Sequence, residues 1–197
     1  YIDLLSLHYP ALSDVEKDYV FEQLERLVEV GKILYWGAAL DDSEDSQELV
    51  EILINDRESP FLHIPCNIFE KDLLDTVSQC REQESVGIIS RRPHFYGFLE
   101  SDDTKDIELL LSEDSDNYRD SLPNGAGRRL EQCAEFIRIC SVFGVAPHHA
   151  AMRHILDIPD VCVTIPNIRD MKTLVDFCAD FGSDALPPEL SDALVDL

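Results

Sequence analysis

Residues 1–10 read YIDLLSLHYP. The stretch from Ile2 to Leu7 is a mostly apolar run of strand length, and His8, Tyr9 and Pro10 follow it directly. Such a run is typical of a buried β-strand. The stretch therefore predicts a strand with a histidine at its carboxyl end. No initiator Met precedes the strand, which favours the interpretation that the chain is a fragment of a longer one.

The rest of the chain alternates short apolar runs with helical patterns. Further strands are predicted at residues 33–40, 61–67, 86–90 and 161–165. Helices are predicted at residues 13–30, 46–55, 72–82, 129–143, 147–156, 171–179 and 188–195. Strands that are apolar on both faces and separated by helices are typical of a covered parallel sheet. The fold class is therefore α/β, either a doubly wound sheet or a (β/α)₈ barrel, and no glycine-rich nucleotide-binding motif follows a strand to favour the first.

The first predicted helix carries both a start signal and a stop signal. Ser13 and Glu16 have the spacing of a capping box, which predicts Ser13 as the N-cap residue. Gly31 follows the last apolar position, and glycine commonly ends a helix. The two signals predict one continuous helix between the first two strands.

Composition narrows the class of protein. The 197 residues suffice for one sizeable core, and 16 basic against 40 acidic residues give a net charge of −24. This charge repels nucleic acid and anionic membranes, so neither is a predicted partner. There is no apolar run of membrane-spanning length and no signal-peptide pattern. Cys133 and Cys140 are seven residues apart in a helical pattern, too far to form a disulfide, and the absence of any C-x-x-C spacing gives a zinc site no support. We therefore expect six reduced thiols in a cytoplasmic protein.

Five segments, taken in order, resemble motifs of the aldo-keto reductase superfamily. The segments are YIDLLSLHYP (1–10), LVEVGKILYWG (27–37), LHIPCNIFEKD (62–72), VGIISRRPHFYGFLES (86–101) and VCVTIPNIRDMKTLVDF (161–177). Each match is weak alone, but five in the family's order at similar spacing form a fairly specific pattern. The resemblance implies a (β/α)₈ TIM barrel of which residues 1–197 form the fourth to eighth βα units. The chain would then be a single portion of an incomplete barrel, with about five parallel strands and open edges at the first and last of them.

The resemblance also implies a site at the carboxyl ends of the strands. His8 matches the family's catalytic histidine, which lies beside a tyrosine proton donor with a lysine and an aspartate, and NADPH supplies hydride. Those three partners would lie upstream, so the chain alone is expected to be inactive. At the nicotinamide end the family's polar anchors are replaced by Ala39 and Leu40, its glutamine by His63, and its stacking aromatic by Arg91. An alternative for Arg91 and its neighbour Arg92 is a surface ion pair with the acidic loop.

The last predicted strand is followed by the counterpart of the family's phosphate site. Arg169 is retained there, which in the family favours the 2′-phosphate of NADP, and Asn167 replaces a glycine. Asn tolerates a positive φ better than most residues, so this change is compatible with the loop. The family's adenine-contacting residue is replaced by Phe177, for which a position in the core is the favoured interpretation.

Two other features bear on ligand binding. The acidic loop, about residues 100–127, holds nine acidic and two basic residues between Glu100 and Asp120, a net charge of −7. It disfavours a phosphate ligand nearby, and a solvated insertion is the favoured interpretation. His148, His149 and His154 are close in sequence, but their spacing suits shared ligation poorly, so no metal site is predicted.

Two functions from different classes follow. The first is an NADP-dependent oxidoreductase that reduces a small-molecule carbonyl substrate, supported by the order of the motifs, His8 and Arg169. The second is a degenerate barrel without catalysis that serves as a binding or regulatory protein. It is supported by Ala39, Asn167 and Phe177 and by the acidic loop. The sequence favours the oxidoreductase and does not identify its substrate.

Overall fold

The structure is a computed structural model that describes residues 1–80, 86–101, 103–110, 127–182, 185–195 and 197. These residues group into two compact units, which are described separately below. Unit 1 comprises Tyr1–Cys66, Glu70–Arg91 and Pro159–Val163. Unit 2 comprises Asn67–Phe69, Arg92–Ile158 and Thr164–Leu197.

The strands form one open parallel sheet in sequence order, β1-β2-β3-β4-β5. Their bounds are Ile2–His8 (β1), Ile33–Ala39 (β2), Phe61–Pro65 (β3), Gly87–Arg91 (β4) and Val161–Ile165 (β5). Parallel neighbours need a crossover connection, and the helices between the strands supply it. The prediction of an α/β fold with five parallel strands is confirmed, and an open sheet of this order is consistent with an incomplete (β/α)₈ barrel.

The helices occur close to where the sequence pattern predicts them. Their bounds are Leu12–Val15 (α1), Asp18–Glu29 (α2), Ser46–Asn55 (α3), Asp72–Cys80 (α4), Lys105–Leu110 (α5), Leu130–Phe143 (α6), Pro147–Leu156 (α7), Met171–Phe181 (α8) and Pro188–Val195 (α9). Pro147 begins α7 at a position where its missing N–H costs nothing. Gly144 ends α6 with a φ of 66°, a left-handed conformation that glycine adopts without strain.

The prediction of one continuous first helix capped by Ser13 is wrong. Ser13 lies inside the short α1, and α2 begins separately at Asp18. Asp14 contacts the residues that precede both helices. Its carboxylate accepts hydrogen bonds from the Ala11 backbone N–H at 3.2 Å and from Lys17 Nζ at 2.9 Å. The stop at Gly31, with a φ of 68°, is as predicted.

The strands are not equally covered. In β3 four of the five residues are buried, as expected for a strand covered on both faces. Ile2 and Leu4 of β1, by contrast, are 52% and 46% exposed, and Val163 of β5 is 48% exposed. These apolar side chains lie on the two end strands of the open sheet, so the prediction of open edges at β1 and β5 is confirmed.

Unit 2 has a core built largely on α6. Four side chains of α6 are at most 1% exposed, namely Leu130, Cys133, Phe136 and Ile137. Apolar residues from α7 and α9 belong to the same cluster. Burial raises the pKa of the Cys133 thiol to about 12, so this cysteine is an apolar core residue and not a reactive thiolate. All six cysteines are free, as the sequence predicts.

Candidate functional site

Three predicted site residues form a row across three adjacent strands. His8 of β1 pairs with Ala39 of β2, and Ala39 pairs with His63 of β3. Two backbone hydrogen bonds of 2.9 Å continue the ladder past this row, from Tyr9 N–H to the Ala39 carbonyl and from Leu40 N–H to the His63 carbonyl. The parallel register therefore places His63 of β3 beside His8 and Ala39, the last residues of β1 and β2. Ligands of open α/β sheets bind at the carboxyl ends of the strands.

His8 and Tyr9 have contrasting backbone positions. His8 is the last residue of β1 and is exposed, with its ring 4.1 Å from the Tyr9 ring, centroid to centroid. Tyr9 has a φ of 53°, in the left-handed region that a tyrosine seldom adopts. Such backbone conformations cost about 1–3 kcal/mol and occur preferentially at functional sites. The turn of the chain at Tyr9 leaves the His8 imidazole accessible at the strand end.

His63 lies in an environment that disfavours its protonated form. Burial lowers the pKa of His63, and the nearby Arg91 and His8 lower it further. Its Nε2 atom is buried and makes no hydrogen bond within the described structure. An imidazole nitrogen left without a partner in a partly buried position is suited to receive a ligand's hydrogen-bonding group.

Arg91 is held by contacts within unit 1. Its guanidinium donates hydrogen bonds to the Tyr9 hydroxyl and the Leu40 carbonyl, and it forms a 3.2 Å ion pair with Asp41. The guanidinium carbon also lies 5.0 Å from the Tyr9 ring centroid, a cation–π distance. These partners are not the acidic loop that the alternative interpretation proposed. Most of that loop, residues 111–126, lies outside the described residues.

In unit 2, a tight turn after β4 shapes two adjoining cavities. Phe95 and Tyr96 have φ values of 42° and 57°, and Gly97 follows with a φ of 94°. Backbone hydrogen bonds from Gly97 and Leu99 N–H to the His94 carbonyl, at 3.0 and 3.2 Å, close the turn. The turn carries the chain back so that Glu100 lines both cavities.

Arg169 lines the first of these cavities, which measures about 160 Å³. The remaining lining residues are Glu100, His148, Asp170, Lys172, Thr173, Asp176 and Phe177. The Arg169 guanidinium donates a hydrogen bond to the Glu100 carboxylate, so the two side chains form an ion pair. Burial raises the pKa of Glu100, and the Arg169 charge opposes this rise. Arg169 is therefore an anion-binding group that already holds a carboxylate.

Asn167 and Phe177 have different surroundings. Asn167 lines the second cavity, of about 280 Å³, together with Arg92, Tyr96 and Glu100. Its φ is not among the positive values of the described residues, so tolerance of a left-handed backbone does not explain the asparagine. Phe177 is 6% exposed and stacks on the His94 ring with 4.6 Å between centroids. The preferred interpretation of Phe177 as a packed aromatic agrees with this position.

Sequence reasoning missed the residues that hold the two arginines. Tyr9 is the first residue after β1 and Asp41 is the second residue after β2, so closeness to a strand end was the available signal for both of them. Glu100 was counted only as the first acid of the acidic loop. Nothing in the sequence places it against Arg169, because the two residues are 69 positions apart.

The described residues contain neither a metal-binding cluster nor a membrane-spanning helix. In the part of the chain that the structure describes, no group of three or more His, Cys, Asp or Glu side chains has an arrangement that could hold a metal ion. Among the same residues, no helix is long and apolar enough to cross a membrane.

Known structures share this fold. An aldo-keto reductase, AKR11C1, from Bacillus halodurans superposes on all of this chain with a TM-score of 0.65 and 18% identity, and the chain covers 62% of it. A glycerol dehydrogenase, AKR11B4, from Gluconobacter oxydans matches 99% of this chain with a TM-score of 0.67 and 20% identity, and 57% of it is covered. The chain thus spans about three fifths of these proteins' length, and at such identity the likeness shows the fold alone.

By sequence, the chain matches a family model but no individual curated protein. No curated protein matches the chain significantly. The family model described as "Aldo/keto reductase family" matches residues 1–189 of the 197. This match covers nearly all of the sequence, including every motif from the first strand to α8. The chain therefore belongs to the aldo/keto reductase family.

Proposed function

We propose that the intact protein is an oxidoreductase that reduces a carbonyl group on a small molecule by hydride transfer from a nicotinamide dinucleotide. The observation that carries this proposal is the row in which His8 and Ala39, at the carboxyl ends of β1 and β2, lie beside His63 within β3. In barrel enzymes the reacting groups lie at that end of the strands. Membership of the aldo/keto reductase family supports the same reaction class.

The residues of unit 1 fit the nicotinamide end of such a cofactor. Ala39 is 4% exposed and carries no polar side chain, so it contributes shape but no hydrogen bond there. The buried His63 Nε2 has no hydrogen-bond partner among the described residues, and a neutral imidazole can pair with an amide group of the ligand. Arg91 keeps a fixed position through Tyr9 and Asp41, and its charge helps to keep His63 neutral.

His8 is proposed to contact the substrate. Carbonyl reduction requires a proton donor at the oxygen and a hydride at the carbon, and a bound nicotinamide dinucleotide would supply the hydride. An exposed imidazole at the strand end can donate a hydrogen bond to the carbonyl oxygen and orient it. The proton donor that the family resemblance implies has no counterpart in the matched motifs. We therefore expect residues 1–197 alone to be catalytically inactive.

The residues that the resemblance assigns to the cofactor's adenosine end lie in unit 2. Arg169 by itself favours NADP, since a guanidinium pairs well with a phosphate. Its ion pair with Glu100 works against that assignment. The proposed function therefore requires a nicotinamide dinucleotide without specifying the 2′-phosphate.

The alternative is a barrel that binds a ligand or a partner without catalysis. It is favoured by Ala39, which replaces a polar anchor, and by Phe177, which is packed against His94. A cytoplasmic location and the lack of a nucleic-acid partner remain predictions from composition. The alternative and the proposed function differ in one measurable property, turnover of a carbonyl substrate by the intact protein.

The proposed function is tested by following NADH and NADPH oxidation by the intact protein with a panel of aldehydes and ketones. We expect turnover with at least one carbonyl compound, and the variant His8→Asn should lose about 100-fold or more of kcat/KM. His149→Asn is the matched control, because His149 lines neither cavity of unit 2 and lies on α7.

Two results would contradict parts of this proposal, the first the reaction itself and the second the role of His8. The first is binding of a dinucleotide without turnover of any carbonyl compound, which would favour the non-catalytic alternative. The second is turnover that His8→Asn and His149→Asn leave equally unchanged, which would remove His8 from the substrate site.

A further inference from the structure

We propose that Glu100 sets the nucleotide preference of this protein: its carboxylate occupies the anion position on Arg169, so that the cavity accepts an adenosine ribose with free hydroxyls and rejects one that carries a 2′-phosphate. This inference rests on the proposed function and names its cofactor as NADH in preference to NADPH. It assigns a role to Glu100 that neither the family match nor the sequence pattern provides.

The position of Glu100 is built into the fold of unit 2. The turn at residues 95–97 has three consecutive positive φ values, and the Glu100 N–H donates to the Gly97 carbonyl at 3.2 Å. A Cβ at position 97 would lie 3.4 Å from Arg169 Nη1 and 3.5 Å from Glu100 Oε1, which are ordinary contact distances, so the turn lies directly against the ion pair. The φ of 94° is what favours glycine at this position. The Glu100 side chain is 14% exposed, whereas that of Arg169 is 56% exposed. Glu100 is thus a largely buried group placed by a strained turn, and it is not a mobile surface acid.

The charges in the cavity oppose a second anion. Its lining has three carboxylates (Glu100, Asp170 and Asp176) against two basic side chains (Arg169 and Lys172), a formal net charge of −1 with His148 neutral. Lys172 pairs with Asp176 at 2.6 Å, and Asp170 accepts a hydrogen bond from the Thr173 backbone N–H at 2.8 Å. Both basic side chains are therefore paired with carboxylates of this cavity, and a phosphate would have to displace one of them.

The same groups suit a ribose diol. A carboxylate accepts hydrogen bonds from hydroxyl groups, and an acidic residue at the adenosine ribose distinguishes dinucleotides with a free 2′-OH from those with a 2′-phosphate. A phosphate dianion beside the Glu100 carboxylate would experience like-charge repulsion in a partly desolvated cavity. Burial raises the pKa of Glu100, as expected for a carboxylate that is partly removed from solvent, and the Arg169 charge opposes this rise.

The test uses adenosine 5′-monophosphate and adenosine 2′,5′-bisphosphate, which differ only in the 2′-phosphate and cannot transfer hydride. Calorimetric titration of the intact protein at low salt gives the ratio of their two dissociation constants. We expect the monophosphate to bind about tenfold more tightly than the bisphosphate, and Glu100→Gln to reverse that preference. Glu108→Gln is the matched control, because Glu108 also pairs with an arginine, Arg138, and lines neither cavity.

A second variant makes the test independent of any effect of Glu100→Gln on folding. In Arg169→Gln, the bisphosphate should bind no better than in the wild type, and adding Glu100→Gln to it should no longer confer tight bisphosphate binding. The inference is overturned if the wild type prefers the bisphosphate, if Glu100→Gln leaves the ratio unchanged, or if neither nucleotide binds. Monophosphate preference without carbonyl turnover would instead refute the proposed function alone.

Discussion

Replacing Gly37 by alanine should destabilise the sheet at the point where β2 approaches β3. A Cβ atom at position 37 would lie 2.4 Å from the Phe61 carbonyl oxygen and 2.8 Å from two carbons of the Phe61 ring. The ring can move aside, but the carbonyl oxygen belongs to the backbone of β3. Gly37 is therefore required for the close approach of two strands, one of the roles that only glycine fills.

The expected loss of stability follows from how far the distance between this Cβ and the Phe61 carbonyl oxygen lies below the contact limit. Cβ atoms essentially never approach other heavy atoms within 3.0 Å, so β2 and β3 must separate by at least 0.6 Å at this point. Overpacking of this kind costs about 1–3 kcal/mol of stability. The next paired positions are Ala38 with Leu62 and Ala39 with His63, so the displacement also reaches the row of site residues.

The matched control is Gly87→Ala in the neighbouring strand β4. A Cβ there meets its nearest atom, the Cys162 Sγ, at 3.6 Å, which is an ordinary contact. Because alanine reduces the entropy of the unfolded chain, we expect Gly87→Ala to change stability by less than about 1 kcal/mol, with stabilisation the favoured direction. Urea unfolding of the intact protein, followed by circular dichroism, gives both free energies of unfolding.

Equal unfolding midpoints for the two variants would refute this reasoning, because the strands would then be free to separate at Gly37 without cost. A smaller denaturant slope for Gly37→Ala alone would indicate a change in the compactness of the unfolded or native state. The two variants would then be compared by their free energies of unfolding in water and not by their midpoints.

Two further predictions concern His63 and the sheet edges. The folded protein lowers the pKa of His63 below its ordinary 6.5, so the unfolded chain takes up a proton more readily than the folded protein does. The free energy of unfolding is therefore highest above pH 6.5 and decreases as the pH falls towards the lowered pKa. Stability measured against pH should therefore fall more steeply in the wild type than in His63→Gln, and parallel curves would contradict this. Residues 1–197 alone should associate through exposed apolar side chains such as Ile2 and Val163, the more so as salt screens the charge of −24. A light-scattering mass that stays monomeric from low to high salt would contradict the second prediction.

Helix and strand positions were predictable wherever the local pattern was strong. The pattern predicted α3, α7 and α9 with the bounds that the structure shows, because their apolar spacing and flanking breakers are local signals. The capping box at Ser13 failed for a local reason too. Asp14 accepts a hydrogen bond from the Ala11 backbone N–H, so α1 begins at Leu12, two residues before the start that a Ser13 cap would give, and α2 begins separately at Asp18.

The site was predictable only in part. Recognition of His8, Ala39 and His63 rested on the resemblance to family motifs, and such motifs are short, local features of the sequence. The partners of Arg91 and Arg169 are not local, since Tyr9 and Glu100 lie 82 and 69 residues away from them in sequence. A charged residue in a sequence shows that it needs a partner, but it does not show which one it has.

The order of elements, the parallel sheet and the family of this protein follow from the sequence, because hydrophobic periodicity and short motifs depend on residues close together in the chain. Parallel pairing then determines which strand ends are neighbours. Tertiary structure alone decided which groups pair with Arg91 and Arg169. A strained turn brings Glu100 to Arg169, and this contact converts a residue that suggests a phosphate site into one that already holds a carboxylate.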